Sequence, residues 1–386
     1  MRAVYLDHNA TSPLLPAVRA HLVELLDADL GNPSSLHESG RRARHVIDVA
    51  RERVAAALGV HETEIVFTAG GTESIQLALL GAANAAGRTR GLVASRIEHS
   101  AVLGALEVAA ALGHPTELVP VDAHGFVDPA EIARAAARCA AGAVSIQVAN
   151  NEIGTVQPTA AIAAAARACA PRPLVHCDAV QALGRVPVEL ARWGIDLASF
   201  SAHKLGGPSG VGWLWVRRGV ALAPPMRGGG QEHGLRPGTE PAALWSAAAL
   251  ALELTVREQS AAAARWSAQC RRIHAALASE LPELALHGPP LDDARRLPNT
   301  LSLGLAGVDG KILVTKLDLA GLRASAGSAC ASGSAAPSHV LQALGLDENR
   351  ARGGLRVSLG WNTSDEDCKR AVEILRSVLS PLRASR

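Results

Sequence analysis

At 386 residues the chain is long enough for two or three compact units of roughly 150 residues each. Its 48% apolar and 19% charged content belongs to a folded globular protein rather than a disordered one. Lys and Arg number 38 against 36 Asp and Glu, and a net charge of +2 offers no basic field to a nucleic acid, so direct nucleic-acid binding is not expected.

The first eight residues lack the apolar run of a signal peptide. No segment reads as a membrane span; the apolar stretch at 160–170 is short and interrupted by Arg167. The six cysteines (139, 169, 177, 270, 330, 368) form no Cys-x-x-Cys pair and no finger spacing, which predicts a reduced, cytoplasmic protein with no metal site.

From residue 60 to 220, β-rich runs alternate with helical patterns. Strands are expected at 65–68, 92–95, 143–148, 174–178 and 197–201, with helices at 72–86 and 100–112. This is the pattern of an α/β fold with a mostly parallel sheet covered by helices. A further strand at 211–217 is expected to close the sheet at one edge. An Ala-rich helix at 241–280 then leads to strands at 300–305 and 355–359 and a closing helix at 365–382. The expected division is a large domain, 13–250, and a smaller α+β domain made of 1–12 and 251–386. Residues 325–338 hold only Ser, Ala and Gly besides Pro337 and Cys330, and read as a mobile loop.

Ligands of parallel α/β sheets sit beyond the carboxyl ends of the strands, and polar residues end five of the expected strands here. Gly70-Gly71-Thr72 fits either an anion cradle at a helix N-terminus or an ordinary threonine cap. Asp178, flanked by apolar residues, needs a cationic partner, either a protonated ring nitrogen or a structural salt bridge. His99 is a ring-stacking or acid–base candidate, or simply a hydrogen-bonded histidine. Lys204 follows a strand and precedes Gly206-Gly207-Pro208, a setting suited to a Schiff-base lysine in a chain whose cations are mostly arginine. Together they make the set that pyridoxal 5′-phosphate requires: an amine, a pyridinium partner and a phosphate site.

With these residues in view, the chain resembles the cysteine desulfurases of the NifS/IscS-like branch, class V aminotransferase-like enzymes. The likeness is carried by Leu6-Asp7-His8-Asn9-Ala10-Thr11, by 31–37, by Phe67 through Ser74, by Glu98-His99 and by Asn150-Asn151-Glu152-Ile153-Gly154. It continues through His176 to Gln181, Ser201-Ala202-His203-Lys204, 228–239, Ser328-Ala329-Cys330-Ala331-Ser332-Gly333-Ser334 and 355–360. The resemblance implies a fold type I transferase in which Lys204 binds pyridoxal phosphate covalently. By the same likeness Asp178 pairs with the ring nitrogen, Gln181 bonds the ring oxygen and His99 stacks on the ring. Gly71, Thr72, Ser201 and His203 then hold the phosphate, with Thr239 supplied by the second subunit of a homodimer. Asn151 and Arg356 take the substrate carboxylate. Cys330 is the nucleophile that receives sulfur from L-cysteine as a persulfide and passes it to an acceptor protein, in iron–sulfur cluster assembly or another thiolation route; His99 is a candidate base for its thiol.

The chain departs from the family at Ala202, where glycine is common, at Ser209, where lysine is usual, and at Trp361, where arginine is frequent. Two other readings compete: a selenocysteine lyase or aminotransferase of the same fold, and a non-catalytic scaffold. A thiol on a small-residue loop speaks against plain transamination. The presence of Lys204, Asp178 and Cys330 speaks against a scaffold.

Overall fold

The computed structural model describes residues 3–327 and 336–384, so Cys330 lies outside the described residues. Strand β1 (Val4–Tyr5) is followed by helices α1 (Pro16–Asp27) and α2 (Glu38–Leu58). Strand and helix then alternate: β2 (Ile65–Thr68), α3 (Gly71–Ala86), β3 (Leu92–Ser95), α4 (Ser100–Ala111), β4 (Thr116–Val119), α5 (Pro129–Arg138), β5 (Ala143–Gln147), α6 (Thr159–Arg167), β6 (Leu174–Asp178), α7 (Leu190–Trp193), β7 (Leu197–Ser201) and β8 (Gly212–Val216). A single 37-residue helix, α8 (Ala242–Ala278), leads onward. It is followed by β9 (Ala285–Leu286), β10 (Thr300–Gly304), α9 (Gly310–Leu319), β11 (Leu322–Arg323), β12 (Ser325–Ala326), α10 (His339–Ala343), α11 (Glu348–Arg352), β13 (Gly354–Ser358) and α12 (Asp365–Ala384).

Seven strands make the large sheet, in the order β2-β8-β7-β6-β5-β3-β4. Strands β3 to β7 run parallel, and every residue of β3, β5 and β7 is buried, as expected when helices cover both faces. The strand expected at the edge is instead the second one in. All five residues of β8 are buried, and it pairs antiparallel with β7 on one side and with β2, the true edge, on the other. Two antiparallel steps leave β2 pointing the same way as β7. The carboxyl ends of β2, β3, β5, β6 and β7 therefore lie along one edge. Among the few aromatics, Phe67 stacks on Trp245 (centroids 4.5 Å apart) and Phe200 on Trp213 (5.6 Å), locking β2 to α8 and β7 to β8.

A second core forms around the antiparallel sheet β12-β13-β10-β9 and the short parallel pair β1-β11. Helix α8 serves both cores: Trp245, Ala248 and Leu252 face the first, Trp266, Cys270, Ile273 and Leu277 the second. Leu6 belongs to the second core, so the residues after it are delivered from that core to the edge of the large sheet. Part of the expected 325–338 loop is strand, since Ser325 and Ala326 pair with Arg356 and Leu355. No described helix is long and apolar enough to cross a membrane. Among the described residues no cluster of His, Cys, Asp and Glu is suited to a metal ion.

Candidate active site

The strand ends meet around a cavity of about 350 Å³. Gly71, Thr72, His99, Asn151, Asp178, Gln181, Ser201, His203, Lys204 and Arg356 all line it. So do Asn9, Ala10 and Gln147, to which the sequence had assigned no role. Thr239 is exposed and does not line the cavity of its own chain.

Helix α3 begins at Gly71 behind Gly70, whose φ of 154° lies in a region few side chains adopt, and no side chain caps it. The amides of its first turn are thus left for an anion. A Cβ on Gly71 would stand 3.0 Å from Val180 Cγ2, so the helix start packs tightly against the loop after β6. Glu73 in this turn is paired with Arg236 at 3.0 Å, which ties the 228–239 segment to the start of α3.

Strand β6 places Asp178. Its neighbour His176 bridges β5 and β7 through Ser145 Oγ and Ser199 Oγ, both at 2.8 Å, and burial holds its pKa down to about 3, so it is a neutral spacer. Cys177 points into the core, where burial pushes its thiol up, as an inert filler should be. Asp178 Oδ1 accepts from Val180 N at 3.0 Å. Burial raises the Asp178 pKa, and the nearby His99 and Lys204 oppose that shift. A buried carboxylate so placed is stabilised by a cation brought into the cavity.

Lys204 Nζ donates to the carbonyls of Asn9 and Ala10, each at 2.6 Å. The amine is therefore held by the segment that follows β1. Ala202 stands where glycine is common in the family, and it is accommodated because Gly207 opposite has no side chain: a Cβ there would meet the Ala202 methyl at 3.0 Å. His203 Nδ1 lies 3.1 Å from Thr11 Oγ1; burial, with Lys204, Arg185 and His99 nearby, lowers its pKa to about 4. Gln181 Nε2 donates to Asn9 O at 3.0 Å, while its buried Oε1 has no partner among the described residues. An unsatisfied buried acceptor suits a ligand hydroxyl.

His99 caps α4, its Nδ1 accepting from Ala101 N at 3.1 Å. An accepting Nδ1 puts the proton of the neutral ring on Nε2.

Across the cavity, Arg356 is almost wholly buried. Its Nη2 pairs with Asp7 Oδ1 at 2.8 Å and its Nη1 donates to Asn151 O at 3.2 Å, while Nε has no partner among the described residues. An arginine with donors to spare, beside the Asn151 side chain, suits a small carboxylate. Below it two more acids are buried. Burial pushes Glu98 up to about 8 against hydrogen bonds from Ser95 and Gln147, and pushes Glu152 up to about 7 against Ser338, Arg356 and His99. Trp361, in the place of a frequent arginine, donates to Pro13 O at 2.9 Å, and Ser209 is exposed.

A lysine, a buried aspartate, an open helix N-terminus and an unsatisfied acceptor thus meet around one cavity of an α/β fold. The Aminotransferase class-V family matches residues 4–371. A protein of Dictyoglomus turgidum named cysteine desulfurase IscS is 38% identical over 384 residues, covering 99% of this chain and 96% of its own. A solved structure titled NifS-like protein superposes with a TM-score of 0.90 at 35% identity, covering 98% of this chain and 99% of the other. Another, titled SspA in complex with cysteine, has a TM-score of 0.77 at 30% identity over 92% of this chain and 98% of that one. The chain belongs to the class-V aminotransferase family.

Proposed function

We propose that this chain is a pyridoxal 5′-phosphate-dependent cysteine desulfurase, which takes sulfur from L-cysteine, releases L-alanine and carries the sulfur as a persulfide on Cys330. The observation that supports this most is the convergence of Lys204, Asp178 and the open first turn of α3 on one cavity. Full-length likeness to proteins named cysteine desulfurase, and to a structure titled as a cysteine complex, supports the substrate.

Bound through Lys204, the cofactor supplies an electron sink next to the substrate Cα. Gly71 and Thr72 with Ser201 and His203 would hold its phosphate, Asp178 its ring nitrogen and Gln181 its ring oxygen, and His99 would stack on the ring. The neutral His203 expected from its lowered pKa serves as a hydrogen-bond partner rather than a counter-charge. Arg356 and Asn151 hold the substrate carboxylate. Lys204 would move the substrate Cα proton at Nζ. His99, with its proton on Nε2, donates to the reacting substrate. The Cys330 thiolate would form a bond to the substrate sulfur as the carbon–sulfur bond breaks, its electron pair staying with the substrate Cβ, which takes up a proton; L-alanine and an enzyme persulfide result. Thr239, exposed in its own chain, completes the phosphate site of a second copy in a homodimer. The two cores divide near residue 250 into a large domain, 13–250, and a small one, 1–12 with 251–386. The enzyme works in the reducing cytoplasm, in keeping with free thiols at Cys139, Cys169, Cys177, Cys270 and Cys368. Its persulfide goes to an acceptor protein of iron–sulfur cluster assembly or another thiolation route.

The test is to assay sulfide and alanine from L-cysteine under reductant while recording the cofactor absorption. Wild type should release both products. Cys330→Ala should keep the absorption and lose sulfide release. Full activity in Cys330→Ala would replace the persulfide route with a plain lyase reaction.

A further inference from the structure

Two carboxylates link described residues on either side of 328–335 to the Arg356 and Asn151 side of the cavity. Asp7 accepts from Arg356 Nη2 at 2.8 Å through Oδ1 and from Ser325 Oγ at 2.7 Å through Oδ2. Ser325 is also the register partner of Arg356 across β12 and β13. On the other flank, Ser338 Oγ donates to Glu152 Oε2 at 2.6 Å while accepting from Leu341 N at 3.2 Å, so the hydroxyl that caps α10 is held by Glu152. Glu152 itself is fixed by its place in the chain: Asn150 Oδ1 accepts from the amides of Glu152 and Ile153 at 2.8 and 2.9 Å. A Cβ on Gly327 would lie 3.3 Å from both Glu152 Oε2 and Ser338 Cβ. The carboxylate thus sits where the two flanks come together.

Covalent geometry makes this placement matter. Cys330 follows Gly327 by three residues, so their Cα atoms are never more than about 11 Å apart. Whatever fixes Ser325 and Gly327 limits where the thiol can be delivered. The fixing groups are bonded to Arg356 or adjoin Asn151, the pair that faces the substrate carboxylate.

We propose that Asp7 and Glu152 are positioning residues for the sulfur-transfer step. Each holds one flank of the Cys330 segment to the Arg356–Asn151 wall, so that the thiol and the substrate are placed from a common frame. This rests on the desulfurase reading and adds to it the residues that set the reach of the nucleophile. Neither carboxylate needs to touch the substrate. Breaking their bonds to Ser325 and Ser338 should slow the thiol's attack and spare the earlier binding of L-cysteine.

The experiment separates those steps in a single turnover of the cofactor-loaded enzyme. Stopped-flow absorption follows the cofactor when L-cysteine is added, and quenched alkylation with peptide mass spectrometry follows the persulfide on Cys330. The variants are Glu152→Ala, Glu152→Gln and Ser325→Ala; the last leaves the Asp7–Arg356 pair in place. In Glu152→Ala and Ser325→Ala the absorption change should stay within about 2-fold of wild type, while persulfide formation falls by about 10- to 100-fold, the scale of an ångström-level misplacement of a reacting group. Glu152→Gln keeps an oxygen for Ser338 and should restore most of the rate. A further readout needs no cofactor: amide exchange at 339–345 should quicken in Glu152→Ala and not in Glu152→Gln. Wild-type persulfide rates in both Ala variants would overturn the inference. A parallel loss of both steps, unrescued by Gln, would also overturn it by showing general damage. Absence of any persulfide on wild-type Cys330 would overturn the desulfurase reading together with it.

Discussion

The two walls of the cavity are made differently. The cofactor-facing wall comes from consecutive strand ends of one sheet: Gly71, His99, Asp178, Ser201 and Lys204 each sit within a few residues of a strand that the large core holds rigid. The opposite wall is assembled from distant parts of the chain. Asn151, from the loop after β5, and Arg356, from β13, line it; Asp7 from behind β1 is paired with Arg356 and bonded in turn to Ser325 of β12. On the proposed reading the first wall holds a large, flat cofactor. On the proposed reading the second sets a small substrate and a thiol against each other, through the half-buried Asp7 and the buried Glu152.

The contrast is broken most severely on the first wall. Asp178→Asn removes the charge that a buried ring nitrogen answers to, and kcat should fall by about 10²- to 10³-fold, with the cofactor band shifted, the scale seen when one preorganised electrostatic group is lost. Steady-state kinetics with a visible spectrum checks this; unchanged kcat would remove Asp178 from the cofactor site. On the second wall, Arg356→Lys keeps a charge but loses the fork and its bond to Asn151 O. KM for L-cysteine should rise by about 10- to 100-fold with kcat less affected, as for a charged hydrogen bond of 1.5–3 kcal/mol. A drop in kcat at constant KM would place Arg356 outside carboxylate binding.

The mildest effect concerns Glu98, fully buried against Ser95 and the Gln147 amide. Its folded pKa of about 8 lies above its ordinary 4.5, so its contribution to stability is full below 4.5 and lost as pH rises toward 8. Denaturant midpoints at pH 5 and pH 8 should differ less in Glu98→Gln than in wild type. Equal differences in the two proteins would show that Glu98 ionises normally in the fold.

Most of the first wall was legible because strand-end motifs are local. Gly70-Gly71-Thr72, Asp178 and Lys204 each lie beside a strand that the residues themselves announce. The order of strands was less so: the run at 211–217 reads as a strand, but only pairing shows that it is inserted between β2 and β7. Asp7, Asn9 and Glu152 stood in motifs without a role. What they do depends on partners 142 to 349 residues away, which no spacing rule reaches. His99 shows another limit, since its use as an N-cap, and hence its donor tautomer, follows from backbone geometry at α4. For Glu98 and Glu152 the missing signal was burial, which a sequence motif does not state.

The central claim is that Lys204 carries the cofactor, and the composition makes it direct to test. Only four lysines occur in the chain, at 204, 311, 316 and 369. The enzyme would be loaded with pyridoxal phosphate, reduced with borohydride, digested and mapped by mass spectrometry. A single reduced pyridoxyl adduct on the peptide containing Lys204, absent from Lys204→Ala, is the predicted result. An adduct confined to Lys311, Lys316 or Lys369, or none at all, would contradict the account.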